Sequence, residues 1–119
     1  MATIKSFTDL SQSKVLAEIL PLESADMCWQ YQKDRWVGEP DYNEFPQFKH
    51  ATDKRDVPCW SLTALLVVLP YGYSSVLTKS FNGKDYYCKI DGKPFESKAD
   101  NPIDACYGVI IKLHELNLL

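Results

Sequence analysis

The chain has no long hydrophobic run, no strong charge of either sign, no paired cysteines and no glycine-rich loop. Each absence removes a class of function. Its longest uninterrupted apolar stretch, Ala64 to Leu69, falls far short of the roughly 20 residues that a membrane-spanning helix needs. A formal charge of −3 supplies no bulk attraction toward nucleic acid or an anionic lipid surface. The four cysteines, Cys28, Cys59, Cys88 and Cys106, stand far apart, and none forms the C-x-x-C spacing of a zinc site. The five glycines are scattered, none following a strand in the spacing that cradles a phosphate. No metal and no cofactor is therefore expected. The opening "MATIKSFTDL" is polar rather than charged-then-apolar and reads without a secretory leader. The expected compartment is the reducing cytoplasm, with four free thiols acting as small apolar residues.

What is present is an ordinary globular composition. With 119 residues, 45% apolar and 24% charged, the chain reads as a single domain over 1–119 with a real core. "TDLSQSKVLAEIL" (8–20) predicts a first helix, capped by Thr8 or Asp9, with Leu16, Ile19 and Leu20 inward and Pro21 as its stop. In "ADMCWQYQ", Met27, Trp29 and Tyr31 alternate with polar neighbours, which predicts a strand at 25–31. Residues 32–57 show no clean period. They hold either short strands around Trp36 and Phe48 or an excursion that carries function.

"PCWSLTALLVVLP" (58–70) predicts a helix from Leu62 to Leu69, capped by Ser61 and closed by Pro70. Thr63 is its only polar residue, and a helix apolar on every side is expected to be buried on every side. Asn82-Gly83 and Asp91-Gly92 predict two hairpin turns and a three-stranded antiparallel meander. Those turns pair Lys79 with Tyr86, Leu77 with Cys88, and Cys88 with Phe95, giving one core face and one solvent face. The strand at 25–31 would extend the meander to four. "NPIDACYGVIIKLHEL" opens with an Asn-Pro start signal. It predicts a helix with Ile103, Cys106, Val109, Ile110, Leu113 and Leu116 inward and Asp104, Gly108, Lys112 and Glu115 outward. The expected fold is α+β, a meander of three to four strands with helices packed on one face.

Five groups of residues invite a chemical reading. Cys59 lies just before a helix start, where partial positive charge lowers a thiol's pKa. His50 is a possible base, with Asp53 or Asp56 to orient it. The alternative is that Cys59 and Trp60 wedge the entry to a buried helix. His114, near the end of the last helix, fits a structural role. Lysines 79, 84, 89, 93 and 98 lie among Phe81, Tyr86 and Tyr87 and suggest a base-stacking sheet, but Asp85, Asp91 and Glu96 offset them. Glu39, Asp41 and Glu44 read as a solvated acidic run. Trp36, Tyr42, Phe45 and Phe48 crowd the aperiodic segment, as aromatics at the centre of an interface do.

"PCWSLTALLVVLP" followed by "NPIDACYGVIIKLHELNLL" resembles a group of small uncharacterised proteins encoded by phages and mobile elements of gut bacteria. The resemblance rests on Trp60, Ser61, Leu62, Leu65, Leu66 and Pro70, then Pro102, Asp104 and Ala105, and covers the last half of the chain. It implies an origin in a mobile element and no activity. The expected function is a small non-enzymatic accessory or interaction protein, with a protein partner or self-association and no membrane. A cysteine-dependent enzyme using Cys59 and His50 is the alternative, and a weak nucleic-acid binder is third.

Overall fold

The computed structural model describes residues 5–33, 40–42, 45–50, 54–69, 75–79, 84–90 and 96–118. Along them run α1 (Leu10–Ile19), β1 (Met27–Trp29), β2 (Tyr31–Lys33), β3 (Pro40–Tyr42), β4 (Val57–Cys59), α2 (Leu62–Val68), β5 (Ser75–Lys79), β6 (Tyr86–Ile90), β7 (Glu96–Ala99) and α3 (Pro102–Glu115). The fold is α+β.

The helices start where side-chain oxygens replace missing backbone partners. Of the two cap candidates for α1, Asp9 takes the position. Its carboxylate accepts the Gln12 N–H at 2.8 Å, and the Gln12 side chain accepts the Asp9 N–H at 3.1 Å, a reciprocal capping box. Asn101 caps α3 by accepting the Asp104 N–H at 2.8 Å, with Pro102 at the first helical position. At the far end Asn117 adopts φ 56°. The N–H groups of Asn117 and Leu118 donate to the carbonyls of His114 and Leu113 at 3.1 and 2.9 Å, closing the helix in a Schellman turn.

α3 is the packing centre. Ile103, Cys106, Val109, Ile110 and Leu113 are all buried against β6, β7 and α2. Each such side chain contributes about 1.5–3 kcal/mol by leaving water. Leu116, expected on the same arc, lies beyond the covered length and is half-exposed.

β5, β6 and β7 form the expected antiparallel meander. Leu77 faces Cys88 and Lys79 faces Tyr86, and the two turn dipeptides themselves lie outside the described residues. The third strand departs from expectation. Cys88 faces Ser97, not Phe95, and Lys89 faces Glu96, a register two residues away from the one a tight turn at Asp91-Gly92 sets. An even shift keeps every residue on its expected face. Ser97 meets α3 at Gly108. A Cβ on Gly108 of α3 would stand 2.9 Å from the Ser97 Cβ and closer still to its hydroxyl. Gly108 therefore faces the sheet rather than solvent, and its missing side chain lets α3 approach Ser97 closely.

The strand expected at 25–31 does not extend the meander. β1 pairs antiparallel with β4, Cys28 facing Pro58. Part of the aperiodic segment is also sheet. β2 and β3 pair with Tyr31 facing Tyr42, and the returning chain exchanges two backbone hydrogen bonds between Gln47 and Cys28, at 2.8 and 2.9 Å. Thus β1 lies between β4 and Gln47, and Met27, Trp29, Val57 and Cys59 form a second core with Phe7, Leu10 and Tyr42.

α2 corrects a further expectation. Ser61 caps it by accepting the Ala64 N–H at 3.2 Å, but only Ala64 and Leu65 within it are buried, while Leu66 is 40% and Val67 70% exposed. Two turns of helix laid on α3 hide one stripe and leave the other outside. Among the described residues no helix is long and apolar enough to cross a membrane.

Candidate functional site

The pairing of β4 with β1 turns the Cys59 side chain inward, into a set of buried polar groups contributed by α1 and its approach. The Cys59 thiol is fully buried and donates to the Thr8 carbonyl at 3.3 Å. The Thr8 hydroxyl lies 2.8 Å from that of Ser13, which also accepts the Trp29 indole N–H at 3.2 Å. The backbone N–H of Trp60 donates to the Thr8 hydroxyl at 3.1 Å, and its indole N–H to Ser24 at 3.0 Å. Burial pushes the Cys59 thiol above its ordinary pKa, outweighing the hydrogen bonds from Thr8 and Ser13. Trp60 is fully buried. The pair wedges α1 against the entry to α2, and Asp26 completes the joint by accepting the Ser61 N–H at 2.9 Å and the Ser61 hydroxyl.

The proposed base is elsewhere. His50 is exposed, on the segment beyond Gln47, and shares no hydrogen bond with Cys59. Of its two orienting candidates, Asp53 lies outside the described residues. Asp56 is buried and accepts the Tyr31 backbone N–H at 2.8 Å, so its carboxylate supports the β2 end of the sheet. His114 is exposed in the last turn of α3.

The four aromatics of the aperiodic segment divide. Trp36 lies outside the described residues. Tyr42 turns inward onto the second core, its ring edge-on to Tyr31 with centroids 6.0 Å apart. Its hydroxyl donates to the Arg55 carbonyl at 3.1 Å, and the Lys14 ammonium stands 5.7 Å from its ring centre. Phe45 and Phe48 turn outward and are 63% and 77% exposed. Between them Gln47 is held to β1 by its two backbone bonds, so both rings stand on backbone anchored to the sheet.

Beside this anchored segment the residues Leu22, Glu23, Ala25, Met27, His50 and Pro58 line a cleft of about 200 Å³. The sequence reading missed it, since its walls come from a turn, two strands and a return segment, and only His50 stood out as a titratable group. The meander lysines offer no comparable site. On the open face Lys89 lies opposite Glu96, and Lys98 stands 3.7 Å from Asp85 and 5.9 Å from the Tyr87 ring. Lys93 lies outside the described residues. Among the described residues no group of three or more His, Cys, Asp or Glu is placed to hold a metal ion.

The fold and this surface are those of a small α+β domain with an anchored aromatic segment. No protein-family model, curated protein or solved structure matches the chain.

Proposed function

We propose that this chain is a small non-enzymatic interaction protein of the cytoplasm, an accessory protein of the kind that phages and mobile elements encode. Its contact surface is centred on Phe45 and Phe48. The observation that carries this reading is the exposure of both rings on backbone fastened to β1 through Gln47 and Cys28. Large rings held on anchored backbone lose little conformational freedom when a partner covers them. Burying each contributes about 1.5–3 kcal/mol. Trp36 and Tyr42 complete the proposed aromatic set, with Tyr42 acting as the inward anchor. The origin in a mobile element rests on the resemblance of the 58–70 and 101–119 segments alone.

The enzymatic alternative asks Cys59 to act as a thiolate. Its full burial, its donated hydrogen bond to Thr8 and its raised pKa favour the wedge role instead. The nucleic-acid reading asks for net positive charge on the open sheet face, where the acidic partners of Lys89 and Lys98 support neutrality.

The test is a double variant, Phe45→Ser with Phe48→Ser, compared with the parent by thermal melting and by sedimentation of the protein alone and with its co-purifying partners. The reading expects an unchanged melting temperature and a lost association. A large fall in melting temperature, or an association that survives, would contradict it.

A further inference from the structure

We infer that the cleft beside this surface receives one basic side chain, lysine or arginine, from a protein partner. The inference rests on the interaction reading above and names the partner chemistry its neighbouring cleft selects. The volume of about 200 Å³ lies below the roughly 300–1,000 Å³ of sites for cofactors and drug-sized ligands. It suits a single side chain.

Leu22, Ala25, Met27 and Pro58 supply apolar wall, and Glu23 and His50 are the two ionisable residues of the lining. Among the described residues the side chains of Glu23 and His50 have no hydrogen-bond or ion-pair partner. The nearest carboxylate in sequence, Asp26, is held by Ser61. A purely aliphatic or aromatic occupant would cover the apolar wall but offer the Glu23 carboxylate no partner, and an acidic one would be repelled. A basic side chain lays its methylene stem along the apolar wall and brings its charged head to the carboxylate.

A protein source is favoured over a free amine by position. Met27 and Pro58 flank Cys28 across the β1–β4 pair, and Cys28 is bonded to Gln47, between the two exposed phenylalanines.

The full chain, labelled with nitrogen-15, is titrated with Nα-acetylarginine methylamide, with the norleucine analogue as its uncharged counterpart, and with putrescine. The arginine probe should shift the amides of Leu22, Glu23, Ala25 and Met27 saturably and bind about threefold to fivefold more tightly than norleucine, the scale of an exposed ion pair. Glu23→Gln should remove that difference while leaving norleucine binding unchanged. Glu23 is exposed, so the variant should melt with the parent. The inference is overturned by an absence of saturable shifts, by equal binding of arginine and norleucine, by an unaltered arginine affinity in Glu23→Gln, or by putrescine binding as tightly as the arginine probe. Any of these would leave the Phe45 and Phe48 test standing, because that test reads association through residues outside the cleft lining.

Discussion

Lys5 and Asp104 meet across almost the whole chain: the Lys5 ammonium donates to the Asp104 carboxylate at 2.8 Å, 99 residues away in sequence. The same carboxylate accepts from Gln12 at 2.7 Å and from Asn101 at 2.9 Å. The approach to α1 and the first turns of α1 and α3 are thereby joined at one acidic group, itself well placed beside a helix N-terminus.

This joint sets a pH dependence. Partial burial opposes the charge on Asp104, but the bonds from Lys5, Asn101 and Gln12 outweigh it and hold the pKa below the usual carboxylate value. A lowered folded-state pKa contributes stability that is fully present above the unfolded value of about 3.9. That contribution is lost as pH falls through the folded value. Burial likewise opposes the Lys5 charge, and bonds to Asp104 and Asp9 raise its pKa, so its share is present below about 10.4 and fades as pH rises through the folded value. Asp104→Asn should lower stability by about 1–2 kcal/mol near neutral pH. The gap between parent and variant melting temperatures should close in acid. A gap as wide at about pH 2 as at neutral pH would contradict this account.

Gly108→Ala tests the meeting of α3 and β7. Alanine normally stabilises a helix interior by about 1 kcal/mol relative to glycine. Here the new methyl collides with Ser97, and overpacking of that kind costs about 1–3 kcal/mol. The substitution should therefore be net destabilising in chemical denaturation, and Ser97→Gly should restore much of the loss. A stabilised single variant would mean that α3 stands further from the sheet.

The thiols provide a check on the wedge role of Cys59. All four cysteines are free and fully buried. At the ordinary thiol pKa of about 8.5, a thiol-specific reagent should label the native chain slowly and label all four once guanidinium chloride unfolds it. Rapid labelling of native Cys59 would favour the enzymatic alternative over the wedge role.

Local signals were legible and long-range ones were not. The Asp9, Ser61 and Asn101 caps follow from side-chain oxygens that the sequence places before apolar periods, and the Lys79–Tyr86 register follows from one Asn-Gly pair. The partner of Met27–Trp29 could not be read, because Val57–Cys59 is distant in sequence and a three-residue strand carries little pattern of its own. The outer stripe of α2 was misread for a related reason. Composition reports that Leu66 and Val67 are apolar, but not that a two-turn helix has only one covered side. Of the candidate aromatics, no sequence period separates inward Tyr42 from outward Phe45 and Phe48; the bond between Gln47 and Cys28 decides it.

The central claim is that Phe48 stands at a contact surface, and site-specific photo-crosslinking tests it most directly. A benzophenone amino acid is placed at position 48 and, as a comparison, at exposed position 89 on the open face of the meander. The cells that produce the protein are irradiated and the adducts resolved by mass. The account predicts one discrete adduct from position 48, to a second copy or to a single partner protein, and none from position 89. No discrete adduct at 48, or the same adducts from both positions, would contradict it.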